Sequence, residues 1–164
     1  NPNGAWKVEP NGTYMIGPDG SQLFIEYAMP FSVPALMAGV IDSINNVDLA
    51  NVTPATAHEC YASIHMGIVH IHPFWDGNGR IARLLANIPL LKAGLPPLII
   101  PQDERRTYIQ ILANYQIAIG QLHSGTGVWP DASRLTEFNQ SCASCYAATE
   151  KLVAAAYEVQ GRRD

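Results

Sequence analysis

A histidine, an aspartate, a glycine-bearing turn and two arginines stand within one dozen residues, in the run His72, Pro73, Phe74, Trp75, Asp76, Gly77, Asn78, Gly79, Arg80, Ile81, Ala82, Arg83. That set suits a site that holds a metal-bound polyphosphate and removes a proton beside it. The neutral imidazole of His72 is the natural general base near pH 7. Asp76 can give a hard oxygen to Mg²⁺, which takes few carboxylates and completes its shell with substrate phosphates. Gly77, Asn78 and Gly79 form a turn in which a ligand can approach the backbone. Directly after it Ile81, Leu84, Leu85, Ile88 and Leu91 fall on a helical stripe. The turn therefore opens a helix, and the free N–H groups and positive dipole end of a helix start make an anion site. Arg80 and Arg83 share a face of that helix, and each guanidinium can fork onto phosphate oxygens.

Taken singly, each element has an ordinary structural reading: a turn, a buried histidine, a solvated helix face. Their order and closeness make the joint reading chemical. Two other phosphate or cation motifs fail. No Gly-Lys-Ser/Thr follows, so the run is not a Walker A loop. It is not an EF-hand, because Arg80 and Ile81 stand where an acid and a glycine are required.

The run matches at every defined position the signature of the Fic (filamentation induced by cyclic AMP) family, His-Pro-Phe-x-Asp/Glu-Gly-Asn-Gly-Arg-x-x-Arg. Upstream, Ile64, His65, Val69, His70 and Ile71 resemble the family's helix leading into the motif, and downstream Leu90 to Pro96 resembles its continuation. The resemblance is dense from about Pro54 to Tyr108. It implies a mainly α fold, a helical bundle with a small β-hairpin flap over the active site. It implies a protein adenylyltransferase, which moves AMP from ATP to a Ser, Thr or Tyr hydroxyl of a target protein and releases pyrophosphate. On that resemblance His72 would deprotonate the hydroxyl and Asp76 would hold Mg²⁺ between the α- and β-phosphates. Asn78 and the N–H groups of Gly77, Asn78 and Gly79 would take the α-phosphate. Arg80 would hold the β-phosphate and Arg83 the γ-phosphate. Phe74 would pack inward and Pro73 would stiffen the loop. Alternatives within the class are transfer of UMP, GMP, phosphocholine or phosphate, or removal of AMP; outside it stands a non-enzymatic interaction domain. In-line attack on phosphorus needs mainly positioning and charge stabilisation, which this residue set provides.

The remaining sequence must position that site. At 164 residues the chain fits one domain, and 48% apolar content supplies a core. Asn1 is not a natural start, which fits a domain excised from a longer chain. A net charge of −4 argues against a nucleic-acid partner. No run of about 18 apolar residues points to a membrane. Cys60, Cys142 and Cys145 are read as reduced thiols, in a bacterial cytosol or, for a secreted effector, a host cytosol.

The first dozen residues are rich in Asn, Pro and Gly and are expected to be loose. Residues of about 13–28 read as a hairpin around the turn at 17–21. The resemblance makes it the flap, whose edge would take the target segment by strand addition. Helices are expected over 33–45, from Thr53 as N-cap to Val69, over 79–93 with a kink at Pro89, over 103–122, and from about 131 to 159 with a break. His58, His65, His70 and His123 are assigned core or capping roles. An inhibitory Ser/Thr-x-x-x-Glu-Gly/Asn helix is known in the family. Its nearest match is Ser133 with Glu137, followed by Phe138, a poor fit. Inhibition is therefore expected from an antitoxin-like partner or sequence outside this chain, or to be absent.

Overall fold

The computed structural model describes residues 4–17 and 19–161. It is mainly helical with one antiparallel hairpin. The hairpin strands are β1 (Gly12–Ile16) and β2 (Gln22–Glu26), in a register running from Gly12 opposite Glu26 to Ile16 opposite Gln22. Asp19 closes the turn by accepting from the Ser21 N–H at 3.0 Å and its hydroxyl at 2.6 Å. Tyr14, Ile16 and Phe24 are exposed on the hairpin. Ile25 and Tyr27 are buried and pack with Ala113, which anchors the hairpin to the bundle.

Helix α1 (Val33–Asn45) matches its expected span. Helix α2 (Ala57–Ile71) is the centre of the molecule. Tyr61, Ala62, Ile64, His65, Met66, Ile68 and Ile71 are each almost wholly buried. A helix apolar on all sides has to be wrapped by others, and α2 packs against α1, α3 (Asn78–Ala86) and α6 (Thr136–Gly161). Helix α5 (Arg105–Ile119) closes one side with Tyr108, Ile111, Leu112 and Tyr115 turned inward.

Four expectations are corrected. Helix α2 starts at Ala57 with Thr56 as its N-cap, not at Thr53. The Thr56 hydroxyl donates to the Asn51 carbonyl and accepts the Thr53 N–H at 2.9 Å, so residues 53–56 form a separate turn. The motif helix is divided rather than kinked: α3 ends at Ala86, and α4 (Ile88–Lys92) begins beyond Asn87. Pro89 has no N–H to continue the ladder. The Asn87 carboxamide fixes the break by donating to the Arg83 and Leu98 carbonyls, both at 3.0 Å, and accepting the Leu98 N–H at 2.7 Å. The last helix is unbroken, preceded by a short 3-10 turn capped by Asp131.

The fourth correction concerns the start of the chain. Residues 1–3 lie outside the described residues, but Trp6, Lys7 and Asn11 are tied down. Trp6 packs on Phe74 with ring centroids 5.1 Å apart, and the Lys7 N–H donates to the Pro73 carbonyl at 2.9 Å. These contacts override a loop-like composition.

His65 and His70 are core residues. The Nε2–H of His70 donates to the Gly120 carbonyl at 2.8 Å, joining α2 to the end of α5. His123 accepts the Gly125 N–H in a surface turn. Among the described residues no helix is long and apolar enough to cross a membrane.

Candidate active site

The dozen-residue run forms the end of α2, a loop and the start of α3. Pro73 disfavours right-handed helical backbone at the residue before it. His72 accordingly leaves the helix in the left-handed region, at φ 54° and ψ 60°. A non-glycine residue held there is a strained position that its surroundings must enforce. Its Nδ1 lies 3.2 Å from the Val69 carbonyl. A carbonyl only accepts, so Nδ1 carries the proton and Nε2 keeps its lone pair. Burial, assisted by the Lys7 ammonium, lowers the His72 pKa to about 4, against the opposing pull of the Val69 bond and Asp76. The imidazole is therefore neutral at pH 7, the form a general base requires.

Gly77 precedes α3 at φ 81°, a conformation that favours glycine, and no side chain caps the helix. The Asn78 side chain is buried; it accepts the Phe74 N–H and donates to the Phe74 carbonyl, each at 2.8 Å. The Gly77 N–H donates to Asp76 Oδ1 at 2.6 Å. The carboxamide of Asn78 thus shapes the loop. The turn presents to an anion the N–H groups of Asn78, Gly79 and Arg80, which have no acceptor within the helix. A Cβ at Gly79 would meet only the Arg83 Nη1 at 3.6 Å, so the protein's own packing does not require glycine there.

Arg80 and Arg83 line a cleft of ≈ 560 Å³ with His72, Asp76, Gly77, Asn78 and Gly79. The far wall is α5 and the segment before it, with Gln102, Arg105, Tyr108 and Ile109. Three guanidinium groups face one carboxylate, a balance that favours an anionic ligand. The Tyr108 hydroxyl lies 3.2 Å from His65 Nε2. Burial raises the Tyr108 pKa, and the Arg83 guanidinium beside it opposes that rise. Arg83 is therefore backed by a buried tyrosine–histidine pair.

Asp76 is exposed and loosely paired with Arg80 at 3.4 Å. Among the described residues no three His, Cys, Asp or Glu side chains converge to form a cage for a cation. A single exposed carboxylate at the mouth of a cationic cleft nevertheless suits Mg²⁺, whose other ligands are phosphate oxygens and water. Glu137 lies exposed in a separate cavity with Ser133 and Asn114. Asp76 is the one carboxylate among the described residues lining the cleft.

A second cavity, of ≈ 420 Å³, lies under the hairpin between β1 and α5. His72, Gly79, Tyr108 and Ile109 line both spaces. The second is lined chiefly by apolar groups, among them Met15, Ile16, Leu112 and Ala113, with Gln116 at its edge.

The structure thus brings together all the residues singled out in the sequence: His72, Asp76, Gly77, Asn78, Gly79, Arg80 and Arg83 at the cleft, with Pro73 buried and Phe74 packed on Trp6 behind it. Sequence reasoning did not find Lys7, Tyr27, Arg105 or the site role of Tyr108. Tyr27 stacks on His72 with centroids 3.7 Å apart and planes within 4°. Tyr108 had been visible only as part of an apolar helical stripe.

Comparison with known proteins agrees with this arrangement. The chain is 42% identical over 84 residues to a protein adenylyltransferase Fic of Drosophila willistoni, covering 51% of this chain and 16% of that protein. A Fic domain containing signaling protein from Bacteroides thetaiotaomicron is 33% identical in sequence and superposes with a TM-score of 0.69, over 87% of this chain and 51% of that one. A Fic family protein from Desulfovibrio desulfuricans gives 0.63 at 25% identity, over 96% and 43%. The chain spans less than a fifth of the Drosophila relative and about half of each bacterial structure. The model of the Fic/DOC family matches residues 3–90, which hold the hairpin, α2 and the whole motif loop; by that match, and by the site those residues build, the chain belongs to the Fic/DOC family.

Proposed function

We propose that this domain is a protein adenylyltransferase that transfers AMP from ATP to a Ser, Thr or Tyr hydroxyl of a target protein. The position of His72 carries the reading. It lies where a cationic cleft meets an apolar cavity. A nucleoside triphosphate spanning that seam, with its phosphate tail among the arginines and its base among apolar side chains, puts its α-phosphorus beside the imidazole. The relatives named protein adenylyltransferase support the same assignment.

The hydroxyl oxygen of the target attacks the α-phosphorus and gives its proton to Nε2 of His72. The bond to the β-phosphate bridging oxygen breaks, and pyrophosphate leaves. The N–H groups at the start of α3 stabilise charge on the α-phosphate, while Arg80 and Arg83 hold the β- and γ-phosphates. Mg²⁺, held by Asp76, would neutralise phosphate charge and assist departure of the leaving group. Strand β1 has one partner, β2, among the described residues, so its other edge is open. A target segment pairing there would hold its hydroxyl in register with His72. With no glutamate among the described residues lining the cleft, any inhibitory carboxylate would come from a partner or from another part of the protein, or inhibition is absent. The free thiols of Cys60, Cys142 and Cys145 support a reducing compartment as the place of action.

Labelled nucleotides test this reading. Incubated with candidate target proteins or a lysate, the domain should transfer label from α-³²P-ATP and none from γ-³²P-ATP. Its His72→Ala variant should lose transfer by roughly 10²-fold or more while still binding ATP. Label from the γ position would mean phosphate transfer. Label from UTP or GTP in preference to ATP would assign a different base. No label from any nucleotide would point to a binding module.

A further inference from the structure

Lys7 is buried, whereas the other lysines, Lys92 and Lys151, are exposed. Among the described residues no carboxylate forms an ion pair with it. A buried ammonium without a counter-ion is costly, and its burial lowers the Lys7 pKa to about 8. Its donors show what holds it there. The ammonium donates to Asn11 Oδ1 at 2.6 Å and to the Ile71 carbonyl at 3.3 Å. The backbone N–H of the same residue donates to the Pro73 carbonyl at 2.9 Å. Ile71 and Pro73 are the residues on either side of His72. The ammonium also lies 5.9 Å from the centroid of the Tyr27 ring, and that ring stacks on the imidazole. Asn11 joins the same brace, donating to the Phe74 carbonyl at 3.4 Å.

Resting on the transferase reading, we propose that Lys7 is a positioning residue for His72: one side chain and its own N–H clasp the carbonyls before and after that residue, and through Tyr27 hold the imidazole in its reactive place. The left-handed backbone of His72 needs such an external restraint, because a free chain would relax from it. The cation beside the imidazole also favours the unprotonated ring. Other charged or titratable groups surround the same site: Tyr27 stacks on the ring, Asp76 acts on its charge from the loop, and Arg80, Arg83, Arg105 and Tyr108 line the same cleft as His72. Lys7 differs from them in binding the backbone on both sides of His72.

The test is a proton NMR titration of the His72 imidazole in the nucleotide-free protein, with its signal assigned by its loss in His72→Ala. The wild-type ring should titrate near pH 4. In Lys7→Met the midpoint should rise measurably, and Lys7→Arg, which keeps a cation and its donors, should return it most of the way. In the transferase assay Lys7→Met should lower kcat by about tenfold with KM for ATP nearly unchanged. A folded Lys7→Met protein whose His72 titration coincides with that of the wild type would overturn the assignment, as would an unchanged kcat. If Lys7→Met does not fold, Asn11→Ala removes an acceptor of the ammonium and is read in the same titration: a raised midpoint supports the clasp, an unmoved one refutes it. Absence of transferase activity in the wild type would defeat the proposed function, while the titration would still decide the role of Lys7.

Discussion

The side-chain amide of Asn78 closes a ring with the backbone of Phe74, taking its N–H and meeting its carbonyl at 2.8 Å each way. Asn78 is 2% exposed, so neither group of Phe74 has water as a ready substitute. Asn78→Ala should therefore destabilise the fold by about 1–2 kcal/mol, because it orphans the Phe74 N–H while the carbonyl keeps the Asn11 donor at 3.4 Å. Asn78→Asp keeps the acceptor but sets a carboxylate oxygen against the Phe74 carbonyl in a buried place, and should cost at least as much. Urea unfolding measures both. A loss below about 0.5 kcal/mol for alanine would mean that the loop holds its shape without the ring.

The stacking of Tyr27 on His72 gives a second expectation. The ring fixes the plane of the imidazole, and the Val69 carbonyl fixes its tautomer. Tyr27→Leu keeps an apolar group there but removes the flat partner. It should lower kcat by about tenfold and leave KM for ATP within about twofold, since loss of orientation acts on the reacting step. Tyr27→Phe retains the ring and should remain near wild-type. Steady-state kinetics of AMP transfer with both variants checks this, and a rise in KM alone would assign Tyr27 to nucleotide binding.

The motif loop was legible because its chemistry is contiguous. Two residues that contact His72 or its flanking backbone from outside were not. Lys7 and Tyr27 meet His72 from 65 and 45 positions away, and in sequence one is a lysine in an Asn-Pro-Gly stretch and the other an aromatic ending a strand. The helices were legible by apolar period, as α1 and the buried face of α5 show. Their boundaries depended on partners that local pattern does not reveal. Local pattern points to Thr53 as the cap, yet the helix begins only after Thr56, whose hydroxyl is held in the preceding turn by the Asn51 carbonyl. Pro89 signalled an interruption, yet its form was set by Asn87 reaching forward to Leu98.

Gly79 separates the needs of folding from those of binding. Its surroundings would accept a methyl group, with Arg83 Nη1 at 3.6 Å as the nearest contact. Alanine is a better helix former than glycine by up to about 1 kcal/mol. Gly79→Ala should therefore leave stability unchanged or raise it by a few tenths of a kcal/mol up to about 1. On the proposed function the same methyl group would stand at a helix start that receives a phosphate, and KM for ATP should rise by about tenfold or more. Thermal unfolding and ATP titration on one sample separate the two effects. A destabilised variant would show that the glycine serves the fold.

Acid should weaken this protein before its carboxylates titrate. Burial lowers the pKa of His65 to about 3 and that of His70 to about 4, and His72 is lowered to about 4 as well. In the unfolded chain these histidines take up protons near pH 6.5. Between that pH and about 4 the unfolded state therefore binds more protons than the folded state, and unfolding becomes easier as pH falls. The stabilisation is complete above the unfolded value and is lost as pH drops toward the folded ones. For each of His65 and His70 the slope approaches about 1.4 kcal/mol per pH unit inside that window. Asp19 and Asp131, held low chiefly by Ser21 and Ser133, act below it. Urea midpoints should fall steadily from about pH 6.5 to 4.5, below the range in which Lys7 takes up its proton. Replacing His70 with Asn removes one titrating group and should flatten that fall by about one proton's worth of slope, whatever it costs in stability at pH 7. An undiminished slope in His70→Asn would show that this histidine does not resist protonation in the fold.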